Sequence, residues 1–462
     1  MAGLPFCRQG LSMRRPLLTA TACLAALAAI PIASVAMAAA DTDTYREFDQ
    51  FLDVFQRIKS NYVDKVDDKT LIKGAIDGML AALDPHSVYE TGIEYDNLRI
   101  MTDGAYGGLG LTVGMDDGAV KVIAPQEDAP GDRAGVKAGD LILRINGELA
   151  YGLTLDQAVT KMRGAPGSKI TLSLVRAGRD KPIDLTMVRE RIVQKPVKWE
   201  VRGDVGYINI NTFSKDTGTE TRAAIAAIRQ SLGHAPLGYV VDLRNNGGGL
   251  LQEAIAVSDL FLERGEIVSQ RGRGNDIDRY YAESMFPGDA AKGLPVVVLT
   301  DAGTASASEI VAGALQDHHR AVVMGERSFG KGSVQSVIEL GPQRALKITT
   351  ARYYTPSGHS VQEGGIEPDI RVPQLSDPDY KDRPVVREAD LRRHLLNEAK
   401  LDNGTLEEDS KEDPRFTATA EGLKKQGVED FQLNYALKTV ARLGGPAQVA
   451  AATKPVVKSA AK

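Results

Sequence analysis

Between Leu294 and Gln335 the chain reads LPVVVLTDAGTASASEIVAGALQDHHRAVVMGERSFGKGSVQ, and no other stretch constrains the fold as tightly. Leu294–Leu299 is an unbroken apolar run of strand length, as expected for a buried strand. Asp301–Ala305 are small, turn-forming residues, and Ser306-Ala307-Ser308-Glu309 then opens an apolar helix that runs to about Asp317. A second buried strand is expected over Ala321–Met324, followed by a tight loop at Gly330-Lys331-Gly332. The pattern puts a serine where a strand gives way to a helix and a lysine on the loop after the next strand. That is one way to build a serine nucleophile with a lysine base.

The same alternation predicts an α/β domain over residues 194–380. Val205–Ile210 alternates as a strand, Thr219–Leu232 is helical, and Gly238–Leu243 is a buried strand ending in Arg244-Asn245-Asn246-Gly247-Gly248-Gly249. Leu250–Phe261 is the next helix; Val334–Ile338 and Leu346–Ala351 read as strands. Downstream, Arg387–Lys400 and Gln432–Leu443 are expected to be helices, with a loose polar stretch over Asp402–Arg415. Residues 450–462 are poor in large apolar side chains and are expected to be disordered.

Residues 42–104 read as helices. Tyr45, Phe48, Phe51, Leu52, Phe55 and Ile58 recur at three- and four-residue spacing, as do Leu71, Ile72, Ala75, Ile76, Met79 and Leu80. Both stripes are packing surfaces, suited to this chain or to a partner subunit. Before them, Arg8, Arg14 and Arg15 precede an alanine-rich apolar run from about Pro16 to Ala38, and small residues follow up to acidic Asp41. These are the three parts of a secretory signal peptide, with a retained anchor as the alternative. Cys7 and Cys23 both lie in this segment, so its removal would leave no thiol for a disulfide, a nucleophile or a metal. The net charge of -5 gives no broad basic face for nucleic acid.

A serine hydroxyl needs a base and a site for the oxyanion. A lysine can serve as the base when burial favours its neutral amine. Lys331, flanked by glycines and apolar strands, fits, and an extended chain would let the Gln335 amide orient it. At the helix start the Ala307 N–H could take an oxyanion, and the Gly247-Gly248 turn exposes further N–H groups. Other readings remain open at this level. Ser306-x-x-Glu309 is also a capping box, and Thr304 and Ser308 are nucleophiles of the same type. Gly325-x-x-x-x-Gly330-Lys331 approaches a phosphate loop, but Gly332 stands where Ser or Thr should hold magnesium. His318 lies about 18 Å along the helix from Ser306, too far to act as its base. The histidines do not cluster, so no metal and no cofactor are expected.

Residues 105–193 differ in character. Gly107-Gly108-Leu109-Gly110-Leu111 is a glycine-rich turn entering a strand, and Ala134-Gly135-Val136 leads to Gly139-Asp140-Leu141-Ile142-Leu143-Arg144-Ile145-Asn146-Gly147. This segment resembles a PDZ domain of the circularly permuted bacterial type. Such domains bind chain ends by strand addition, with the carboxylate held by N–H groups of the Gly107–Leu111 turn.

The Ser306–Gln335 stretch, with Asp242-Leu243-Arg244-Asn245-Asn246-Gly247-Gly248 upstream, resembles the C-terminal processing peptidases, or tail-specific proteases. The resemblance covers about residues 42–375 and the Gln432–Leu443 helix. It implies a crotonase-like α/β core with an inserted PDZ domain and helical N- and C-terminal segments. It also implies Ser306 as nucleophile, Lys331 as general base and Gln335 as its orienting residue. The oxyanion hole would come from Ala307 and a glycine of the Gly247-Gly248 pair. The implied order is signal peptide (1–40), helical segment (41–104), PDZ domain (105–193), protease core (194–380), helical region (381–449) and tail (450–462). The expected protein is a periplasmic endopeptidase acting on proteins with apolar C-termini, dimeric through its helices and open to an adaptor lipoprotein. A silent or adaptor-activated scaffold that binds C-termini is the alternative.

Overall fold

The computed structural model describes residues 30–179, 181–274, 276–282, 286, 288–380, 382–398 and 413–445. The residues before 30, where the signal peptide is expected to begin, most of the polar stretch 402–415 and the tail after 445 lie outside them. The described chain divides into two units, one ending at Gly78 and one beginning at Met79.

In the first unit the helix Ile30–Asn61 is followed by a second helix that begins at Asp68. Arg57 pairs with Asp53 one turn earlier (2.8 Å), and Lys59 reaches Asp68 (2.8 Å). The stripe of Tyr45, Phe48, Phe51, Leu52 and Ile58 is exposed in the single chain. No helix of the described residues is long and apolar enough to cross a membrane.

The second unit holds three sheets and a two-stranded ribbon. The central sheet runs Val197–Arg202, Val205–Ile210, Gly238–Asp242, Val296–Thr300, Val322–Gly325, Ile370–Arg371, antiparallel at the first pair and parallel thereafter. Gly238–Asp242 and Val296–Thr300 are buried throughout because both faces of the sheet are covered. Val241 and Val298 point to one side, where they pack with Ile225, Ile228, Val257, Val311 and Leu315 of the helices Thr217–Leu232, Leu251–Asp259 and Ala307–Asp317. Val240 and Val297, one residue earlier, point to the other and meet Ala436 and Val440 of the helix Phe431–Leu443. Arg244 ties that helix down by pairing with Asp242 (2.6 Å) and Asp430 (2.7 Å). The charged half of the Asp242–Gly248 motif is thus structural.

An antiparallel sheet carries the lysine loop into the hairpin Ser333–Glu339/Arg344–Tyr354. Val88–Thr91 and Glu266–Gly272 also pair with Arg344–Tyr354, and Ile277–Tyr281 continues from Glu266–Gly272. Val88–Thr91 interrupts the segment read as wholly helical from sequence.

The third sheet is Leu111–Asp116, Ala119–Pro125, Leu141–Ile145, Lys169–Val175, Ile183–Val188, with the helix Leu155–Met162 capped reciprocally by Thr154 and Gln157. Val120, Ile142, Ile170, Leu172 and Leu174 fill its own core. Asn146 and Gly147 both take positive φ (52° and 85°), the tight turn that joins Leu141–Ile145 to Glu148–Leu149. Ala105–Gly108 pairs with Glu190–Val193 where the chain enters and leaves this unit. Gly107 and Gly108 therefore lie in a strand, and only Leu109-Gly110 turns. This corrects the expectation of one turn over Gly107–Leu111.

The described part of the expected Arg387–Lys400 helix, 387–398, does not form one. One turn, Glu388–Asp390, is followed by irregular chain, with Arg393 at φ 61°. The segment's polar groups are used elsewhere: the Glu388 N–H donates to the Phe329 carbonyl (3.1 Å) and Arg387 to those of Arg327 and Ser328 (2.8 and 2.6 Å). Tertiary hydrogen bonds outweigh local propensity here.

Candidate active site

Ser306 sits between Val296–Thr300 and the helix Ala307–Asp317 at φ 57°, ψ -117°. A left-handed serine at a strand-to-helix corner is held by its surroundings at a cost of about 1–3 kcal/mol. The hydroxyls that sequence alone left equivalent now differ. Thr304 is fully buried and donates to the Leu243 carbonyl (2.9 Å); Ser308 is fully buried and donates to the Asn246 carbonyl (2.9 Å). Ser306 is partly exposed, and its hydroxyl makes no cap hydrogen bond.

The other half of the capping box is present and has a larger role. The Ser306 N–H donates to Glu309 Oε2 (2.7 Å), and the same carboxylate accepts from the N–H groups of Gly330 (2.7 Å) and Lys331 (3.0 Å) and from the Ser328 hydroxyl (2.6 Å). Glu309 is fully buried, and burial pushes its pKa up to about 7 against the downward pull of those four donors. One carboxylate thus fastens the serine turn to the lysine loop. The Tyr353 hydroxyl lies against the same junction, within reach of the Ser306 carbonyl (3.1 Å), the Lys331 carbonyl and Glu309. The sequence signal for Glu309 was its place in the cap; Tyr353 had none.

Lys331 Nζ donates to Gln335 Oε1 (2.5 Å) and to the Ser333 carbonyl (3.1 Å). Burial, helped by Lys347, pushes its pKa down to about 8, while Glu388, Glu309 and Asp84 pull it up. A slip in the pairing of Ser333–Glu339 with Arg344–Tyr354 falls between Val334 and Gln335 and sets Gln335 opposite Thr349. The Gln335 Nε2 donates to Ser333 Oγ (3.0 Å) and Thr349 Oγ1 (3.1 Å), so its Oε1 faces the lysine. Nζ makes no hydrogen bond to Ser306 Oγ in this conformation, and proton transfer needs the two to approach further.

As the first residue of its helix, Ala307 has an N–H with no intrahelical acceptor. Gly248 lies against it at φ 97°. A Cβ there would come within 2.7 Å of the Ala305 carbonyl, 2.8 Å of Ser306 Cβ and 2.9 Å of the Ala307 nitrogen. The space in front of the Ala307 N–H exists only because residue 248 lacks a side chain. The Gly248 N–H itself donates to Asn246 Oδ1 (2.9 Å) in this conformation. Gly247 is the glycine of the pair whose N–H has no acceptor among the described residues. Asn246 also donates to the Ile210 carbonyl (2.7 Å) and takes the Ala305 N–H (2.9 Å), which fixes this loop to the serine turn.

Residues 204–372 match the model of peptidase family S41, residues 121–176 a PDZ domain model, and residues 26–91 the N-terminal domain of the activating protease CtpB. A carboxy-terminal-processing protease of Bartonella bacilliformis is 45% identical over 86% of this chain and 89% of its own length. The carboxy-terminal processing protease CtpB of Bacillus subtilis is 36% identical over 76% of this chain and 72% of its own. Among solved structures, a photosystem II D1 C-terminal processing protease is 30% identical over 70% of this chain and 92% of its own, with a TM-score of 0.42.

Proposed function

Since this chain belongs to peptidase family S41, as a carboxy-terminal-processing serine protease that carries a PDZ domain, we propose that it cleaves by a Ser306–Lys331 acyl-enzyme mechanism with Gln335 holding the base. The observation that carries this reading is the contrast among the three hydroxyls of the turn. Only the Ser306 hydroxyl is accessible and free of a bond to a neighbouring carbonyl, and its turn is joined through Glu309 to the loop of a lysine whose pKa is lowered. Neutral Lys331 takes the Ser306 proton as Oγ attacks the scissile carbonyl. The Ala307 N–H, with a second donor from the Gly247-Gly248 turn, receives the developing oxyanion. Lys331 then protonates the leaving amine, and water hydrolyses the ester.

The pH dependence follows from the state of the base. Below a pKa of about 8 Lys331 is protonated and cannot accept the serine proton. At low substrate, kcat/KM is expected to fall about tenfold per pH unit below 8 and to level off above it. A profile flat from pH 6 to 9 would sink the lysine-base reading.

For substrate capture we propose strand addition along Leu111–Asp116. This is an edge strand of its sheet, paired among the described residues with Ala119–Pro125 only, and its Leu111 and Val113, like Val159 of the helix Leu155–Met162, are half-buried against the domain core. An unfolded reporter with an apolar C-terminal tail tests this. Removing its last residues is expected to raise KM about tenfold with little change in kcat. Equal KM for both reporters would leave the PDZ domain without this role.

Export to the periplasm is part of the reading and rests on residues 1–40. N-terminal sequencing of the native protein tests it, with a start near Asp41 expected and an intact Met1 against. Dimerisation through the exposed Tyr45–Ile58 stripe is tested by light scattering, where a monomer at working concentration counts against it. An adaptor-gated version is the second reading. In that version the purified enzyme is inert until a lipoprotein partner is added.

A further inference from the structure

Two carboxylates behind the lysine take no part in the chemistry above. Asp84 is 4% exposed. It accepts the N–H groups of His86 (2.8 Å) and Ser87 (2.9 Å), the Ser87 hydroxyl (2.7 Å) and, across to the hairpin, the Thr349 hydroxyl (3.1 Å). Thr349 Oγ1 in turn accepts from Gln335 Nε2 (3.1 Å). A hydroxyl carries one proton, and an ionised carboxylate can only accept. Thr349 therefore donates to Asp84 and is left as an acceptor toward Gln335. That turns the amide nitrogen to Thr349 and the amide oxygen to Lys331 (2.5 Å). Asp84 sets the direction at the far end of the row, alongside Ser333 Oγ, the other acceptor of the Gln335 amide.

A second row runs parallel to it. Glu388 is fully buried and accepts from His86 Nε2 (2.8 Å) and Gln362 Nε2 (3.0 Å), while Gln362 Oε1 accepts the N–H of Gly332, next to the lysine (3.0 Å). Here too an acceptor-only group fixes the orientation of an amide that holds the lysine loop. Both rows start at the Asp84–Ser87 turn, the first at Asp84 and the second at His86.

We propose that Asp84 and Glu388 are positioning residues for the lysine base, Asp84 acting through Thr349 and Gln335, and Glu388 through Gln362 and its own charge. The proposal rests on Lys331 being the base. The charged groups facing the lysine are Glu309, Glu388 and Asp84, which favour its ammonium form, and Lys347, which opposes it. Burial pushes the Glu388 carboxyl up, but its bonds to His86 and Gln362 and the charge of Lys331 hold it below its usual value, so it is ionised at working pH.

Asp84→Asn removes the charge, keeps an amide oxygen where Oδ1 takes the His86, Ser87 and Thr349 donors, and puts an NH2 against the Ser87 hydroxyl. A neutral amide oxygen is a weaker acceptor than a carboxylate, so the Thr349 hydroxyl is held less firmly to residue 84 and is freer to donate to Gln335, which loosens the amide. The expected result in the full-length enzyme is a ten- to hundredfold lower kcat, the size of loss typical of supporting hydrogen bonds. KM and tail binding are expected to hold, and the acid limb of the pH profile to move to lower pH. Glu388→Gln is expected to move that limb further in the same direction. Thr349→Val should reproduce the kcat loss without touching either carboxylate, and Thr349→Ser should restore it. Wild-type kcat and pH limb in folded Asp84→Asn and Thr349→Val would overturn the proposal. If Asp84→Asn does not fold, the Val/Ser pair at 349 decides alone. Lys331→Ala, run alongside, separates the premise: turnover retained there refutes the lysine base itself, whatever the other variants do.

Discussion

Ser306→Ala is expected to lower cleavage of an unfolded, apolar-tailed reporter by about four to six orders of magnitude, and Lys331→Ala by a similar factor. Losses of this size arise when nucleophile and base act as a unit, so the double variant should be scarcely worse than either single one. The structure explains why neither change should unfold the protein. The Ser306 hydroxyl makes no cap bond, and the turn is held by backbone N–H groups on Glu309 and by Asn246. Lys331 is a charge held in a place that disfavours it, so its removal gives up two hydrogen bonds and also relieves an unfavourable burial. Reporter cleavage, thermal melting and tail binding together read the outcome. Either single variant retaining wild-type turnover would refute the dyad. Unfolding of Ser306→Ala would return the serine to the role of a helix cap.

Glu309→Ala is expected to be the most damaging change to the fold near the site, at roughly 3–5 kcal/mol. It leaves four donors without an acceptor, the buried Gly330 N–H and Ser328 hydroxyl and the partly buried N–H groups of Ser306 and Lys331, and each buried orphan costs about 1–3 kcal/mol before any water enters. With total stabilities of only about 5–15 kcal/mol, a domain can be unfolded by that loss. Glu309→Gln separates anchoring from stability. It keeps the shape and one oxygen for Ser328 and Gly330, but puts an NH2 against the Ser306 and Lys331 N–H groups. The serine turn and lysine loop then lose their shared anchor. Activity is expected to fall by about two orders of magnitude, the effect of a misplacement near 1 Å, with a smaller stability loss than for alanine. Denaturant unfolding and kcat on the same preparations test both parts. A Glu309→Gln enzyme with wild-type kcat would show that the carboxylate does not set the dyad geometry.

Local patterning carried much of the architecture. The apolar runs at Gly238–Asp242 and Val296–Thr300, the helix after Ser306 and the Asn146-Gly147 turn are all legible because each follows from residues adjacent in the chain. Period and turn chemistry report which face of a segment is apolar and where the chain can reverse. They failed where distant groups compete for the backbone. Arg387–Lys400 has a helical composition, yet its backbone and side chains are drawn to carbonyls near Phe329 and Ser328.

For the site, the sequence by itself determined the reactive types and their order: a serine at a strand-to-helix corner, a glycine-flanked lysine, a glutamine four residues on. Only the tertiary structure decided which of three hydroxyls is free, which of two glycine N–H groups is committed, and that Glu309 joins two loops besides its place in the cap. Asp84, Thr349, Gln362 and Glu388 carried no readable signal, since their neighbours in sequence are not their neighbours in space. The physical reason is the reach of the forces involved. Propensity and amphipathic period act over a turn or two of chain. A hydroxyl's freedom, an amide's orientation and a lysine's pKa depend on hydrogen bonds and charges within a few ångströms, and folding brings those from segments hundreds of residues apart.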